Sequence, residues 1–273
     1  MNAVYIALPF VQGVVALFLA SLAVLSDPRD RLNLIFAGFL IAIGFWGFLI
    51  FGMRDAFPNA DIAFSWEQAA LVVIPFSGIL FYHFVHGLTG ARRTPLILAL
   101  WYALGIAAAG ATLMGWTATG VEERFYGFAP VLGPAFPLLL LASYPPVLMS
   151  IVELSRAIPN AESDRQRAQL KMLRLGVFVS VLGGTTDFIP SLGLSIYPMG
   201  VLGNIGFALV TTIAVTRHRL MNLRLLLRRG LAYTLVSSFV FGSYGASFGL
   251  VFVFTRSLSI EAWILASVGT GLF

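Results

Sequence analysis

Two histidines are the first residues of this sequence that could do chemistry. His83 and His86 lie in the run Phe81-Tyr82-His83-Phe84-Val85-His86. A spacing of three residues places both on one face of a helix, where they could offer two imidazoles to a metal ion or a haem. The favoured interpretation is that both are hydrogen-bonded and partly solvated near the end of an apolar run, because no third histidine lies in such a run. We therefore expect no metal site and no cofactor.

Asp187 is a candidate for proton uptake or for pairing with the amine of a ligand. It lies in Gly183-Gly184-Thr185-Thr186-Asp187-Phe188-Ile189-Pro190, near the end of another apolar run. The favoured alternative is that its carboxylate caps the helix end that Pro190 breaks, since a proline leaves backbone groups that need hydrogen-bond partners. Glu153, at the end of a different apolar run, is interpreted as a snorkelling or solvated residue.

Two polar segments combine aromatic and acidic side chains. The segments Arg54–Gln68 and Gly115–Leu132 each contain tryptophan and glutamate between apolar runs. Aromatic residues also anchor membrane proteins at the lipid–water interface, and interface anchoring is the favoured interpretation. If the segments instead form an outward-facing pocket with Asp187, the candidate ligand-binding residues are Trp66, Glu67, Trp116, Tyr126 and Asp187.

The composition identifies the environment in which these residues work. Of 273 residues, 59% are apolar and only 11% are charged, and the mean hydropathy is +0.90. A soluble domain carries about 25% charged residues, so the composition excludes a soluble enzyme domain, a disordered tail and a nucleic-acid-binding module, despite a pI near 9.9. The absence of cysteine excludes disulfides, thiolate metal sites and cysteine nucleophiles. The sequence therefore predicts a polytopic membrane protein.

The apolar runs predict an all-α, polytopic transmembrane helical bundle. A helix crosses the hydrocarbon core in about 20 residues, and the runs are continuously apolar, which excludes the alternation of a β-barrel. Seven spans are followed by an eighth and by a ninth that the end of the chain cuts short. The predicted spans are Tyr5–Leu25, Leu32–Met53, Ala69–Leu88, Pro95–Met114, Gly133–Leu154, Met172–Leu192, Pro198–Thr216, Leu231–Phe254 and Ala262–Phe273.

The distribution of basic residues predicts the orientation. Fourteen of the 17 lysines and arginines lie in four alternate connections, and three lie in the connections on the other side. By the positive-inside rule, the N-terminus is outside and the seventh span ends in the cytoplasm. The polar segment Ser155–Lys171 is expected to be a solvated loop. In the basic segment Arg217–Gly230, a stripe of arginines is expected to lie at the cytoplasmic interface, attracted to anionic lipid: Arg217, Arg224 and Arg228.

A series of loose motifs in a fixed order also resembles a known family. In chain order the motifs are Asp27-Pro28-Arg29-Asp30-Arg31, Trp46, Trp66 with Pro75, Phe81-Tyr82-His83-Phe84, Leu88-Thr89-Gly90, Tyr126 with Gly133-Pro134, Arg165-Gln166-Arg167-Ala168-Gln169-Leu170, Thr186-Asp187-Phe188-Ile189-Pro190, Arg219-Leu220-Met221-Asn222-Leu223 and Arg228-Arg229-Gly230-Leu231. Over about residues 5–235 the chain resembles the N-terminal seven-transmembrane region of bacterial membrane sensor histidine kinases.

The resemblance implies a sensory input module without catalytic residues of its own. Residues 1–216 are then the seven-helix sensor region, 217–230 the basic interfacial segment and 231–273 additional transmembrane helices, in a fragment of a longer kinase or a module acting through a partner. The implied partners are the bilayer of the inner (plasma) membrane, a cytoplasmic kinase or other output domain in cis or in trans, a small or lipophilic ligand, and a second copy in a homodimer, with no nucleic acid. His218 lacks the acidic neighbour of a phosphoacceptor histidine.

The leading hypothesis is a sensor that binds its ligand between the outer halves of spans three to seven. The ligand favours one helix packing, and the seventh span with Arg217–Gly230 carries the change to the cytoplasm, with Arg217, Arg224 and Arg228 as the relay residues. The alternative is a small-solute transporter or channel. An intramembrane enzyme that uses His83, His86 and Asp187 requires these groups to converge, although the predicted topology places the histidines and the aspartate near opposite faces.

Overall fold

Seven long helices and one β-hairpin make up the part of the chain that the structure, a computed structural model, describes: residues 3–90, 95–194 and 196–218. All of these elements lie in the compact unit Met1–Asn222. In chain order they are α1 Ala3–Ser26, α2 Arg31–Asp55, α3 Ala60–Thr89, α4 Pro95–Leu113, β1 Ala118–Arg124, β2 Gly127–Leu132, α5 Phe136–Ala157, α6 Asp164–Phe188, a 3₁₀ turn Pro190–Leu192 and α7 Gly200–His218.

The six helices α1 to α6 are long and apolar enough to cross a membrane. They correspond to the first six predicted spans, so a multi-pass helical membrane protein is confirmed. Helix α7 covers the seventh predicted span. The predicted eighth and ninth spans, Leu231–Phe254 and Ala262–Phe273, lie outside the described residues, as does the basic segment beyond His218.

The β-hairpin corrects the all-α prediction. Strands β1 and β2 pair antiparallel, from Arg124 opposite Gly127 to Ala118 opposite Leu132, with an irregularity between Ala118 and Gly120. Gly127, at the turn, has a φ of 138°, a value that glycine adopts at little cost. The sequence prediction missed the hairpin because it searched for continuous apolar runs, whereas these short strands satisfy their backbone groups by pairing with each other.

Helix α6 begins eight residues before the predicted sixth span, and the prediction of a solvated loop over Ser155–Lys171 is therefore wrong for most of that segment. The Ser163 hydroxyl accepts a hydrogen bond from the Gln166 N–H at 3.2 Å, and the Gln166 side chain accepts one from the Glu162 N–H at 2.7 Å. The first bond satisfies an N–H group that a helix start leaves free, and the second ties the preceding residue of the loop to the first turn. The polar residues that follow have good helix propensity, so the helix extends beyond its apolar part.

The main core is built around phenylalanines of α2, α3 and α7. Phe39 of α2 packs on Phe81 of α3 with ring centroids 5.0 Å apart, and Phe36 packs on Phe84 at 4.6 Å. Phe207 of α7 meets both Phe39 and Phe81 edge-on, at 5.4 and 5.8 Å. Edge-on aromatic pairs are favourable beyond the area they bury, so α7 is held against the pair α2–α3 by directional contacts.

Helices α6 and α7 approach closely through two glycines. A Cβ added at Gly183 would lie 2.8 Å from the Met199 carbonyl oxygen and 2.9 Å from the Gly203 Cα. A Cβ added at the neighbouring Gly184 would meet no described atom within 4 Å. Small residues allow membrane helices to pack backbone against backbone, and here that requirement falls on Gly183 and not on Gly184.

Gly183 and its neighbour Gly184 provide a matched test of the α6–α7 contact. We expect Gly183→Ala to lower the stability of the protein by about 1–3 kcal/mol, the usual cost of overpacking, because backbone atoms of α7 must move. Gly184→Ala should be neutral or slightly stabilising, since alanine has the higher helix propensity. Thermal unfolding of both variants in the same detergent measures the difference, and equal melting temperatures would contradict the close contact.

Candidate functional site

Arg54 lies in the last turn of α2 and is buried, with 6% of its surface exposed. Its Nη1 donates a hydrogen bond to the Tyr5 carbonyl oxygen at 2.7 Å, and its guanidinium carbon lies 3.6 Å from the centroid of the Tyr5 ring. A cation over an aromatic ring is attracted by the electrons of the ring face, by as much as about 2 kcal/mol when water is excluded. Tyr5 thus holds Arg54 by both its backbone and its ring, and fixes the end of α2 against α1.

Glu67 lies in the second turn of α3 and is also buried, with 5% of its surface exposed. Its carboxylate makes no hydrogen bond and no ion pair within 4 Å to any residue that the structure describes. Arg54 and Asp187 interact with it electrostatically. A buried carboxylate without a hydrogen-bond partner is costly, and Glu67 lines a cavity that also contains Arg54 and Asp187.

Asp187 lies near the end of α6 and connects this helix to the start of α7. Its Oδ1 accepts a hydrogen bond from the Gly200 N–H at 2.8 Å, and the Thr186 hydroxyl oxygen accepts one from the Met199 N–H at 2.7 Å. A helix start leaves four N–H groups without helical partners, and these two bonds satisfy two of them. The sequence prediction placed the cap at the end of the helix that contains Asp187; the structure places it at the start of the next helix.

Three tyrosines from three parts of the chain meet beside these charges. Tyr126 is at the hairpin turn and Tyr197 precedes α7; their ring centroids lie 6.2 and 4.9 Å from that of Tyr5, and 6.0 Å from each other. Burial raises the pKa of Tyr126, and the Asp187 carboxylate raises it further. Burial also raises the pKa of Tyr197. Both hydroxyls therefore stay protonated at neutral pH.

Two cavities share this region. The smaller one, of about 50 Å³, contains the three charged side chains together with Tyr5 and Tyr126. The larger one, of about 130 Å³, lies among α2, α3, α5, α6 and α7 and is mainly apolar. Both cavities are lined by Trp46, Ile74, Asp187 and Phe188. The two cavities therefore adjoin, and Asp187 borders both.

The structure brings together three of the five predicted ligand-binding residues: Glu67, Tyr126 and Asp187 line the smaller cavity. Trp66 does not, because its ring lies over Gly52 of α2 and 41% of its surface is exposed. Trp116, just after α4, is 55% exposed and does not line either cavity.

Two of the three predicted relay residues lie outside the described residues of the chain. Arg217 is in α7, where the structure describes the backbone and not the side chain, and Arg224 and Arg228 lie outside the described residues.

Sequence reasoning missed Arg54, Tyr5 and Tyr197. Arg54 was interpreted as part of an outer connection, but α2 extends to Asp55 and α3 begins at Ala60, so the connection is only four residues long. The available signal was the shortness of any loop that can join two neighbouring antiparallel helices. Such a loop places Arg54 and Glu67 on adjoining helix ends.

The two histidines contact different helices. His86 Nδ1 lies 3.1 Å from Glu153 Oε1 of α5, and His83 Nδ1 lies 3.0 Å from the Tyr102 hydroxyl oxygen of α4. Glu153 is thus the hydrogen-bonded, largely buried partner of a histidine, so the solvated alternative is wrong, whereas the snorkelling alternative stays a prediction. Neither histidine lines the two cavities that Asp187 borders. The described residues contain no group of three or more potential His, Asp or Glu metal ligands.

Six apolar helices, a bundle core and a polar site buried inside it define a multi-pass membrane protein with an internal cavity. The chain belongs to the family of N-terminal seven-transmembrane regions of histidine kinases, whose family model matches residues 8–224. The resemblance inferred from the sequence motifs is thereby confirmed. No curated protein and no solved structure matches the chain. The family is a sensor region of kinases and not a catalytic domain.

Arg54 is expected to stabilise the fold through its charge as well as its packing. Arg54→Met removes the only positive charge among the described residues lining the smaller cavity, and leaves Glu67 and Asp187 there without a counter-ion. Breaking a buried charge arrangement in this way typically costs about 3–5 kcal/mol. Thermal unfolding should show a large fall in melting temperature, and adding Glu67→Gln to Arg54→Met should restore part of it.

Arg167→Met provides the control, because Arg167 forms an exposed pair with Asp164 at 3.1 Å. An exposed pair of this kind contributes at most about 1 kcal/mol. If the two methionine variants lost equal stability, the electrostatic role of Arg54 would be refuted.

Proposed function

We propose that the chain is the sensory input module of a signal-transducing histidine kinase or a related two-component protein. It binds a small or lipophilic ligand in the adjoining cavities, in a plasma membrane, with its N-terminus outside and a kinase or other output domain in the cytoplasm, in cis or in trans. The observation that carries the proposal is the position of the larger cavity. It lies among five helices that include α7, the helix in which the basic segment begins.

The proposed mechanism is a shift between two packings of α7. Asn204 and Phe207 of α7 line the larger cavity, and Ser180 of α6 donates a hydrogen bond to Asn204 Oδ1. A ligand changes an equilibrium only as far as it binds one state better than the other. A ligand in contact with Phe207 or Asn204 has such a preference, because any displacement of α7 alters the wall that it touches.

The basic segment Arg217–Gly230, which begins in the last turn of α7, is the proposed route to the cytoplasm. Its arginines, Arg217, Arg224 and Arg228, hold the segment at an anionic membrane surface, so that a movement of α7 changes the direction in which the chain leaves the bilayer. Family membership favours this sensor over the transporter alternative, which no contact or cavity described above specifically supports.

A single label in the basic segment tests the proposal. Because the chain has no cysteine, Asn222→Cys provides one attachment site for an environment-sensitive fluorophore in reconstituted membranes. We expect at least one member of a panel of amphiphilic amines, alcohols and fatty acids to shift the emission saturably. No shift with any member of the panel would count against the sensor mechanism.

A cavity-filling variant distinguishes a specific response from partitioning of the ligand into lipid. Gly184 lines the larger cavity and has room for a side chain, so Gly184→Phe should abolish the shift. Gly110→Phe is the matched control, because Gly110 of α4 also has room for a side chain but does not line the cavity. A shift that persists in Gly184→Phe would place the response elsewhere.

A further inference from the structure

The charges in the smaller cavity do not balance. Glu67 and Asp187 both line it, and Arg54 is the only positively charged residue among the described residues that do. Arg54 is already held by the carbonyl and the ring of Tyr5. With both carboxylates ionised the cavity therefore has one negative charge in excess, and burying an uncompensated charge is costly.

Glu67 is the acceptor that remains available. Only 5% of its surface is exposed, and it lines the cavity. No described residue forms a hydrogen bond or an ion pair with its carboxylate. Asp187, in contrast, already accepts the Gly200 N–H through Oδ1. Trp46, Tyr5 and Tyr126 line the same cavity, and aromatic rings favour cations over neutral groups.

The larger cavity offers space for the apolar part of a ligand next to the Asp187 carboxylate. Apart from Asp187, its wall is mainly aromatic and aliphatic, with Phe39, Phe81 and Phe207 among the lining residues. Its volume of about 130 Å³ is close to the roughly 150 Å³ of an engineered apolar cavity that binds benzene. The space therefore fits a group the size of one aromatic ring or a short alkyl chain.

We propose that the two adjoining cavities bind an amphiphilic amine. Its ammonium group lies between the Glu67 and Asp187 carboxylates, and its apolar body occupies the larger cavity on the other side of Asp187. The ligand supplies the missing positive charge, and its N–H groups satisfy the free Glu67 acceptor. This inference rests on the proposed function and adds to it the chemical class of the ligand.

Two probes of nearly equal size test the class of ligand without any substitution. 2-Phenylethylamine is a cation at neutral pH and 2-phenylethanol is its neutral counterpart; binding of each to the full chain in lipid nanodiscs is measured by calorimetry and by the rise in melting temperature. We expect the amine to bind at least tenfold more tightly than the alcohol, which corresponds to about 1.4 kcal/mol. Equal affinities, or a preference for the alcohol, would overturn the proposal.

Charge-removing variants then locate the site. Glu67→Gln and Asp187→Asn should each weaken amine binding at least tenfold and leave the affinity for the alcohol unchanged, while Asn at position 187 can still accept the Gly200 N–H. Glu123→Gln, at an exposed position of β1, is the matched control and should change neither affinity. Amine binding that survives both carboxylate variants would also overturn the proposal.

The outcomes separate the class of ligand from the sensor function. If both probes bind with equal affinity and Gly184→Phe abolishes both, the cavity binds lipophilic molecules but the amine is wrong. If the natural occupant of the carboxylates is a proton and not an amine, the amine and the alcohol should likewise bind with equal affinity. Failure of both probes to bind overturns the amine, whereas the labelled Asn222→Cys protein still tests the sensor mechanism with alcohols and fatty acids.

Discussion

The hydrogen bond from the Gly200 N–H to Asp187 joins the two halves of the candidate site. It caps the start of α7 and ties that start to the end of α6, and the same Asp187 side chain lines both cavities. The bond also explains why position 200 is glycine: an added Cβ would overlap the carboxylate. Because the last described helix begins at this bond, a change in the charge or position of Asp187 acts directly on α7.

Arg54 is the second constraint, because its positive charge compensates the negative charge of the Asp187 carboxylate. A carboxylate buried among membrane helices needs a compensating charge, and Arg54 supplies one from the neighbouring end of α2. Its own position depends on Tyr5, which packs in turn against Tyr126 of the hairpin and Tyr197 before α7. The hairpin and the loop before α7 thus close the charged cavity, and residues far apart in sequence depend on one guanidinium group.

Hydropathy predicts the helices well, because the backbone groups of each span must bond to one another inside the membrane, and this requirement is local to the span. It fails at Ala118–Leu132, where pairing of two strands supplies those bonds, and at Asp164–Lys171, where capping by Ser163 and Gln166 extends a helix through polar residues. At the site, Glu67, Tyr126 and Asp187 could be singled out by residue type. For Arg54 the short loop after α2 could indicate a position near Glu67, but its contact with Tyr5 is tertiary and is contained in no local pattern.

The same arrangement explains how a small ligand could act on a large helix. The α6–α7 contact combines a close backbone approach at Gly183 and Gly203 with three hydrogen bonds that fix the register: Asp187 with the Gly200 N–H, Thr186 with the Met199 N–H, and Ser180 with Asn204. Glycine-rich contacts permit small displacements, and the directional hydrogen bonds determine which of them is stable. In the proposed complex, the ammonium group beside Asp187 competes with the Gly200 N–H for the carboxylate, so that binding would weaken one of the bonds that tie α7 to α6. The proposal therefore assigns a part in ligand recognition and a part in the position of α7 to the same Asp187 carboxylate.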